Sequence, residues 1–161
     1  MKKSGQYSHN KIIEQLNTWM DWLETPNEDF GGMPVCPFLA PERKSGQLLI
    51  DFYDYTENSL FEMIKDFDKD DRYTTALYLH VNSGRKQKTK DFQEWVTYEL
   101  DMIGLGHFKA VCFSPWEKVK RNGIRTRVDA PCFITSITTH EALNDAWKKI
   151  KVSKYWKNNR K

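Results

Sequence analysis

The residues best suited to bind an anion lie in the segment Trp116–Val128, WEKVKRNGIRTRV. Asn122-Gly123 is the dipeptide that most readily supplies the two positive-φ positions of a type I′ hairpin turn. With that turn, the ladder places two cationic pairs directly opposite each other, Lys120 with Arg125 and Lys118 with Arg127. The sequence therefore predicts a protruding basic β-hairpin.

Side chains alternate along a strand, so these four cations share one face of the predicted hairpin. Like charges opposite each other destabilise a ladder, which leaves two interpretations. Lysines on an edge hairpin deter edge-to-edge aggregation. Alternatively, Arg125 and Arg127 bind the phosphate or carboxylate of a small anionic ligand, with Arg43 from a proline-rich loop beside them.

Cys36, in Val-Cys-Pro-Phe, is a candidate catalytic nucleophile. Pro37 lacks the backbone N–H that an oxyanion hole would take from the following residue, so the alternative is a small apolar anchor of the loop. His80, at the end of the second predicted strand, is the other catalytic candidate. We expect it to converge with His140 at a strand-end crevice, or else to lie on the rim of the sheet.

A metal site is not predicted, because the four histidines show no H-x-x-x-H spacing and the three cysteines form no C-x-x-C. The sequence does not identify a cofactor. Cys112 and Cys132 lie on the third and fourth predicted strands. Continuing the hairpin register inward pairs Cys112 with Phe133, which places the two thiols on opposite faces of the sheet.

The last residues form a basic aromatic tail. From Lys148 onward there are seven Lys or Arg and no acid. Five residues alternate charge with aromatic rings, as in proteins that bind single-stranded nucleic acid: Lys154, Tyr155, Trp156, Lys157 and Arg160. The alternative function is thus a nucleic-acid or protein interaction module, unless the tail is simply the solvated end of a helix.

Length and composition predict one soluble domain. The chain has 161 residues, 39% hydrophobic and 14% aromatic, which suffices for one core over 1–150 with the tail at 151–161. No apolar run approaches the roughly 18 residues of a membrane span. The odd, scattered cysteines favour a reducing, cytoplasmic location. Oligomeric state is not predicted.

Hydrophobic periodicity and turn residues predict the order α-βαβαββα. Helices are predicted at 11–24, at 57–67, from Thr89, and after a Thr138–Glu141 capping box, with a loop over 26–46 and strands at 48–53, 74–81, 108–114 and 132–137. The helix from Thr89 is expected to bury Phe92, Trp95, Val96, Leu100 and Ile103. This order predicts a single-domain α/β fold with a mixed sheet and a thioredoxin-like topology that lacks C-x-x-C.

Three segments, Val35–Phe38, Val111–Pro115 and Arg127–Pro131, together resemble an uncharacterised bacterial domain family. Its members carry Cys-Pro-Phe after the first helix, a strand ending in Phe-His-Pro, and an Arg-Ser-Pro-Tyr-Pro segment. The resemblance spans most of 11–150 and implies one α/β domain that groups Cys36 with Arg127. Ser114 stands where the family has histidine, and no reaction is implied.

Overall fold

The computed structural model of the protein describes residues 2–27, 33–34, 39–55, 59–81, 87–116, 118–121, 124–127 and 130–151. The helices are α1 (Lys2–Glu24), α2 (Leu39–Ser45), α3 (Leu60–Asp68), α4 (Thr89–Met102) and α5 (His140–Lys151). The strands are β1 (Pro26–Asn27), β2 (Met33–Pro34), β3 (Leu48–Tyr53), β4 (Thr75–His80), β5 (Phe108–Phe113), β6 (Lys118–Arg121), β7 (Ile124–Arg127) and β8 (Phe133–Thr139).

A four-stranded mixed sheet in the order β3-β4-β8-β5 is the centre of the fold. β3 and β4 are parallel, with α3 between them in the chain, and β8 is antiparallel to both β4 and β5. The predicted α/β class and mixed sheet are confirmed, whereas the thioredoxin-like topology stays a prediction. β1 pairs with β2, and β6 with β7, in two separate two-stranded ladders.

The sheet is buried on both faces, so every residue of β4 is buried. One face packs on α1, where Leu16 and Met20 meet Leu77 and Leu79 of β4. The other face packs on α3 and α4 through a second core cluster that includes Ala76 and Tyr78. Alternation along β4 places His80 on this second face, the one covered by α3 and α4.

Two helices differ from the sequence prediction at their bounds. α1 ends at Glu24 as predicted but begins at Lys2 rather than at residue 11. α3 begins at Leu60 rather than 57, because the Ser59 hydroxyl accepts the N–H of Glu62 and caps it. Serine is common in loops as well as at helix starts, so hydrophobic periodicity alone did not identify Ser59 as the cap.

The predicted loop over 26–46 was wrong in part, since it contains α2. Pro41 lies in the first turn of this helix, where a missing N–H costs nothing. Leu39 is buried against the α1 cluster, and Gly46, at φ +72°, follows the helix. Pro41, one of the prolines of the predicted loop, therefore lies inside a short helix.

The capping box at Thr138 was also wrong. The cap is Thr139, whose hydroxyl accepts the N–H of Ala142 at 3.0 Å. β8 extends to Thr139, two residues beyond its predicted end, so the helix begins one residue later than the box requires.

On α4, Val96 and Leu100 are buried as predicted, but Trp95 is 48% and Ile103 39% exposed. The apolar residues of this helix occupy more of its circumference than the sheet covers. Among the described residues, no helix is long and apolar enough to cross a membrane.

Candidate functional site

The backbone of β6 and β7 forms an antiparallel β-ribbon. Its pairs are Lys118 with Arg127, Val119 with Thr126, Lys120 with Arg125, and Arg121 with Ile124. These pairs coincide with the register that an Asn122-Gly123 turn predicts. Residues 122–123 and the side chains of β6 and β7 are not among the parts that the structure describes, so the protruding cationic face stays a prediction.

Trp116 fixes the start of this β-ribbon to the end of the sheet. Its indole Nε1 donates to the backbone carbonyl of Gln87 at 2.8 Å, and its ring stacks on Phe133 with 6.1 Å between centroids. Phe133 in turn packs edge-on against His80 at 4.9 Å. Lys118 is only two residues from Trp116, at most about 7 Å of extended chain. The cationic pairs therefore begin close to the carboxyl ends of β3 and β4.

Four polar side chains meet there in what we call the His80 centre, formed by Tyr55, His80, Gln87 and Thr135. The Gln87 amide donates to Tyr55 Oη at 2.7 Å. Tyr55 Oη lies 2.6 Å from His80 Nδ1, and His80 Nε2 lies 2.8 Å from Thr135 Oγ1. Hydrogen bonds thus connect a partly exposed phenol to a hydroxyl that is fully buried.

The hydrogen-bond directions follow from the donor at one end. Because the Gln87 amide donates to Tyr55 Oη, we assign the phenol proton to the bond with His80 Nδ1. His80 then carries its proton on Nε2 and donates it to Thr135 Oγ1. The series of hydrogen bonds continues to Cys112, whose Sγ is 3.7 Å from Thr135 Oγ1, with either atom as donor.

Burial keeps His80 neutral. The residue is 3% exposed, and desolvation lowers its pKa from 6.5 to about 4. The rings of Tyr53, Tyr55, Phe92 and Phe133 surround the imidazole at 4.9 to 5.5 Å between centroids. A neutral imidazole with both nitrogens in hydrogen bonds is well suited to orienting Tyr55.

His80 and His140 do not converge, so that prediction was wrong. His80 ends β4, whereas His140 follows the far end of β8, where its N–H bonds to the carbonyl of His107. β8 runs antiparallel to β4, so the two histidines lie at opposite ends of the sheet. Sequence reasoning placed His80 at the end of a strand and His140 at the start of a helix, without knowing at which end of the sheet that helix begins.

The predicted Cys112–Phe133 pair was also wrong, since Cys112 pairs with Thr135. Arg127 pairs with Lys118, and Ile134 pairs with Phe113. Arg127 and Ile134 are seven residues apart, whereas Phe113 and Lys118 are five apart. The segment from β7 to β8 is therefore two residues longer than the segment from β5 to β6. An even shift preserves the faces: Cys132 packs against the α1 cluster, on the face opposite Cys112. Burial raises the pKa of Cys132 to about 12, so its thiol is a poor nucleophile.

Arg43 lies on α2 and forms ion pairs with α1. Its Nη1 atom is 2.6 Å from Glu24 Oε2 and 3.1 Å from Asp21 Oδ1. These contacts give the guanidinium a structural role in joining two helices. Cys36 and the tail residues Lys154, Tyr155, Trp156, Lys157 and Arg160 lie outside the described residues.

A groove of about 430 Å³ beside edge strand β3 has the wrong charge for an anion. Asp51, Asp54, Asp66 and Asp70 line it together with Arg72, which is paired with Asp70 at 2.7 Å. In the part of the chain that the structure describes, no group of three or more His, Cys, Asp or Glu is arranged to hold a metal ion.

Comparison with known proteins gives no relative: no family model, no curated protein and no solved structure matches this chain. The likeness of Val35–Phe38 and the later motifs to a bacterial domain family stays a prediction.

Sequence reasoning missed Tyr55, Gln87, Trp116 and Thr135. Tyr55 is the second residue after β3 and has φ +69°, a conformation that nothing in the neighbouring sequence predicts for a tyrosine. Thr135 reads as an ordinary strand residue. Only the position of Tyr55 just after a predicted strand, at the edge where ligands bind α/β sheets, was a usable signal.

Proposed function

We propose that this protein binds a small anionic ligand, bearing phosphate or carboxylate, at the β-ribbon beside the His80 centre. The observation that carries the proposal is the ribbon register, which sets Lys118 opposite Arg127 and Lys120 opposite Arg125. An anion relieves the repulsion that two opposed cationic pairs impose on a ladder. Arg125 and Arg127 supply bidentate donors, and the two lysines add point charges.

The root of the ribbon supports the location. Trp116 ties the chain to Gln87, the residue that also donates to Tyr55. Tyr55 is 39% exposed, so its phenol and the Gln87 amide are the polar groups of the His80 centre nearest to solvent. A ligand held by the ribbon would meet them at the carboxyl ends of parallel strands, where α/β sheets bind ligands.

Arg43 is not part of the proposed site, because Glu24 and Asp21 already hold its guanidinium. Binding at the ribbon requires no chemistry from Cys36 or His80. In this proposal His80 is a positioning residue that orients Tyr55.

Thermal unfolding with phosphate, pyrophosphate, ATP, citrate and acetate tests the proposal. Wild-type protein should be stabilised by at least one of these anions. Hydrogen bonds to charged groups contribute about 1.5–3 kcal/mol each, so an Arg125→Gln, Arg127→Gln variant should bind at least tenfold more weakly. A matched control, Lys11→Gln with Lys69→Gln, removes two exposed positive charges elsewhere and should bind as wild type does.

Two outcomes would reject the proposal: a panel with no stabilising anion, or equal loss of affinity in both variants. The alternative, nucleic-acid binding by the tail, predicts single-strand affinity that falls steeply with salt and disappears when 152–161 are removed. The ribbon proposal predicts that the same truncation leaves pyrophosphate affinity unchanged.

A further inference from the structure

Helix α4 carries a group of exposed hydrophobic side chains. Of the five large hydrophobic side chains exposed in the described part of the chain, four lie on this helix or at its end: Trp95 (48%), Tyr98 (61%), Met102 (65%) and Ile103 (39%). Scattered single exposed hydrophobic residues are ordinary, but a group on one element marks an interaction surface.

Trp95, Tyr98 and Met102 follow one another at i, i+3 and i+7, which places them in a single stripe along the helix. Val96 and Leu100 lie on the opposite, sheet-facing side and are buried. The Trp95 ring is supported from below, packing edge-on against Phe61 of α3 at 5.4 Å and against Phe92 at 5.5 Å. A supported tryptophan beside tyrosine and methionine has the composition of an interface core.

The stripe has an acidic border on both sides. At 100° per residue, Glu99 lies on one side of it and Glu94 and Asp101 on the other, while Asp91 lies at its amino-terminal end. Among the described residues, none of these four carboxylates forms an ion pair. Lys90, the remaining charged residue of α4, lies about 140° from Trp95 on the side of Glu94 and Asp101, one turn before Glu94, and Lys88 is exposed directly before the helix.

The neighbouring helix α3 contains one cation, Lys65, which lies one turn after Phe61, the residue that contacts Trp95. Lys65 is paired with Glu62 at 3.3 Å, so it does not neutralise the acidic border. The surface is thus apolar in the middle, and its border carries four carboxylates against two lysines, Lys88 and Lys90, at the amino-terminal end.

We propose that the outer face of α4, from Asp91 to Met102, is a docking surface for a cationic amphipathic helix of a partner protein. Apolar residues of such a helix would cover Trp95, Tyr98 and Met102, and its Lys or Arg residues would meet the acidic border. A second copy of this face would oppose carboxylate to carboxylate, which disfavours a symmetric dimer. Anionic lipid and nucleic acid are repelled for the same reason.

Fluorescence anisotropy with a labelled 14-residue Leu/Lys amphipathic peptide tests the proposal directly. A Leu/Glu peptide with the same leucine positions is the matched control for apolar burial. Wild-type protein should bind the Leu/Lys peptide at least tenfold more tightly than the Leu/Glu peptide. Replacing Tyr98 and Met102 by serine should weaken binding at least tenfold, because both side chains are more than 60% exposed and contribute little to folding.

The charge requirement needs its own pair of variants. Neutralising the border (Glu94→Gln, Glu99→Gln, Asp101→Asn) should weaken binding about tenfold. Neutralising three exposed acids elsewhere (Glu14→Gln, Glu141→Gln, Asp145→Asn) should change it less than twofold. Equal effects of the two variants, equal binding of both peptides, no binding at all, or sedimentation as a dimer that Tyr98→Ser abolishes would each overturn the proposal. None of these results depends on the β-ribbon.

Discussion

The phenolic oxygen of Tyr55 lies 2.6 Å from Nδ1 of His80, a short contact between residues 25 positions apart in the chain. His80 lies here because it ends the buried strand β4, and Tyr55 because the chain turns at φ +69° two residues after the end of β3. The contact joins the two parallel strands at their carboxyl ends. The contact is linked through Gln87 to Trp116, which lies two residues before the β-ribbon.

Acid should destabilise the protein through His80. Its folded pKa of about 4 is below the ordinary 6.5, so the unfolded chain binds this proton more tightly. Stability from His80 is therefore complete above pH 6.5 and falls as the pH drops toward 4, by about 3 kcal/mol in all. Urea unfolding between pH 4 and 7 should show this slope reduced in His80→Gln. His140→Gln, at an exposed histidine, should keep the wild-type slope; a wild-type slope in His80→Gln would contradict the burial argument.

Thr135→Val should lower the free energy of unfolding by more than the small change in side-chain shape suggests. Valine is nearly isosteric with threonine, but it removes the only described acceptor of the buried His80 Nε2–H. An unsatisfied buried donor costs about 1–3 kcal/mol. Thr138→Val is the control on the same strand, because that hydroxyl bonds to the Thr74 carbonyl near the surface. Equal free energies of unfolding for the two variants would argue against a buried hydrogen bond between His80 and Thr135.

Arg43→Gln should lower stability without changing anion affinity. The side chains of Arg43 and Glu24 are 23% and 21% exposed, so this ion pair is better shielded from water than the pair with Asp21, which is 71% exposed. We expect a loss of about 1 kcal/mol, measured by chemical unfolding. Weaker pyrophosphate binding in this variant, measured on fully folded protein, would restore Arg43 to the ligand site.

Gly104→Ala should cost about 1 kcal/mol, because Gly104 ends α4 at φ +80° and an added Cβ would meet nothing within 4 Å. The cost is thus conformational and not steric. Gly106→Ala is the comparison: its Cβ would come within 2.8 Å of Asp101 Oδ1, the end of a flexible side chain that moves aside. A free energy of unfolding unchanged by Gly104→Ala would show that the helix stop does not require glycine.

Local patterns predicted the elements of the sheet well. β3 occupies 48–53 as expected, and the other main strands shift by no more than two residues at either end. Period-two alternation and flanking turns determine a strand locally, which is why these predictions held. The ribbon register is equally local, since it depends on the two residues of the predicted turn.

The interior of the site was beyond sequence reasoning, because it depends on strand order. β8 inserts between β4 and β5, and this brings Thr135 beside His80 and carries His140 to the far end. No residue pattern specifies which strand lies in the middle of a sheet. The exposure of Trp95 was missed for a related reason. Apolar residues at helical spacing predict a buried face, but the sequence does not show how wide a face the sheet covers.

The central claim, anion binding at the β-ribbon, is tested most directly by titrating ¹⁵N-labelled protein with pyrophosphate and following amide and indole resonances. We predict saturable shifts in the amides of 118–127 and in the indole N–H of Trp116, which the Arg125→Gln, Arg127→Gln variant abolishes. Shifts confined to 152–161, or none at millimolar pyrophosphate, would contradict it.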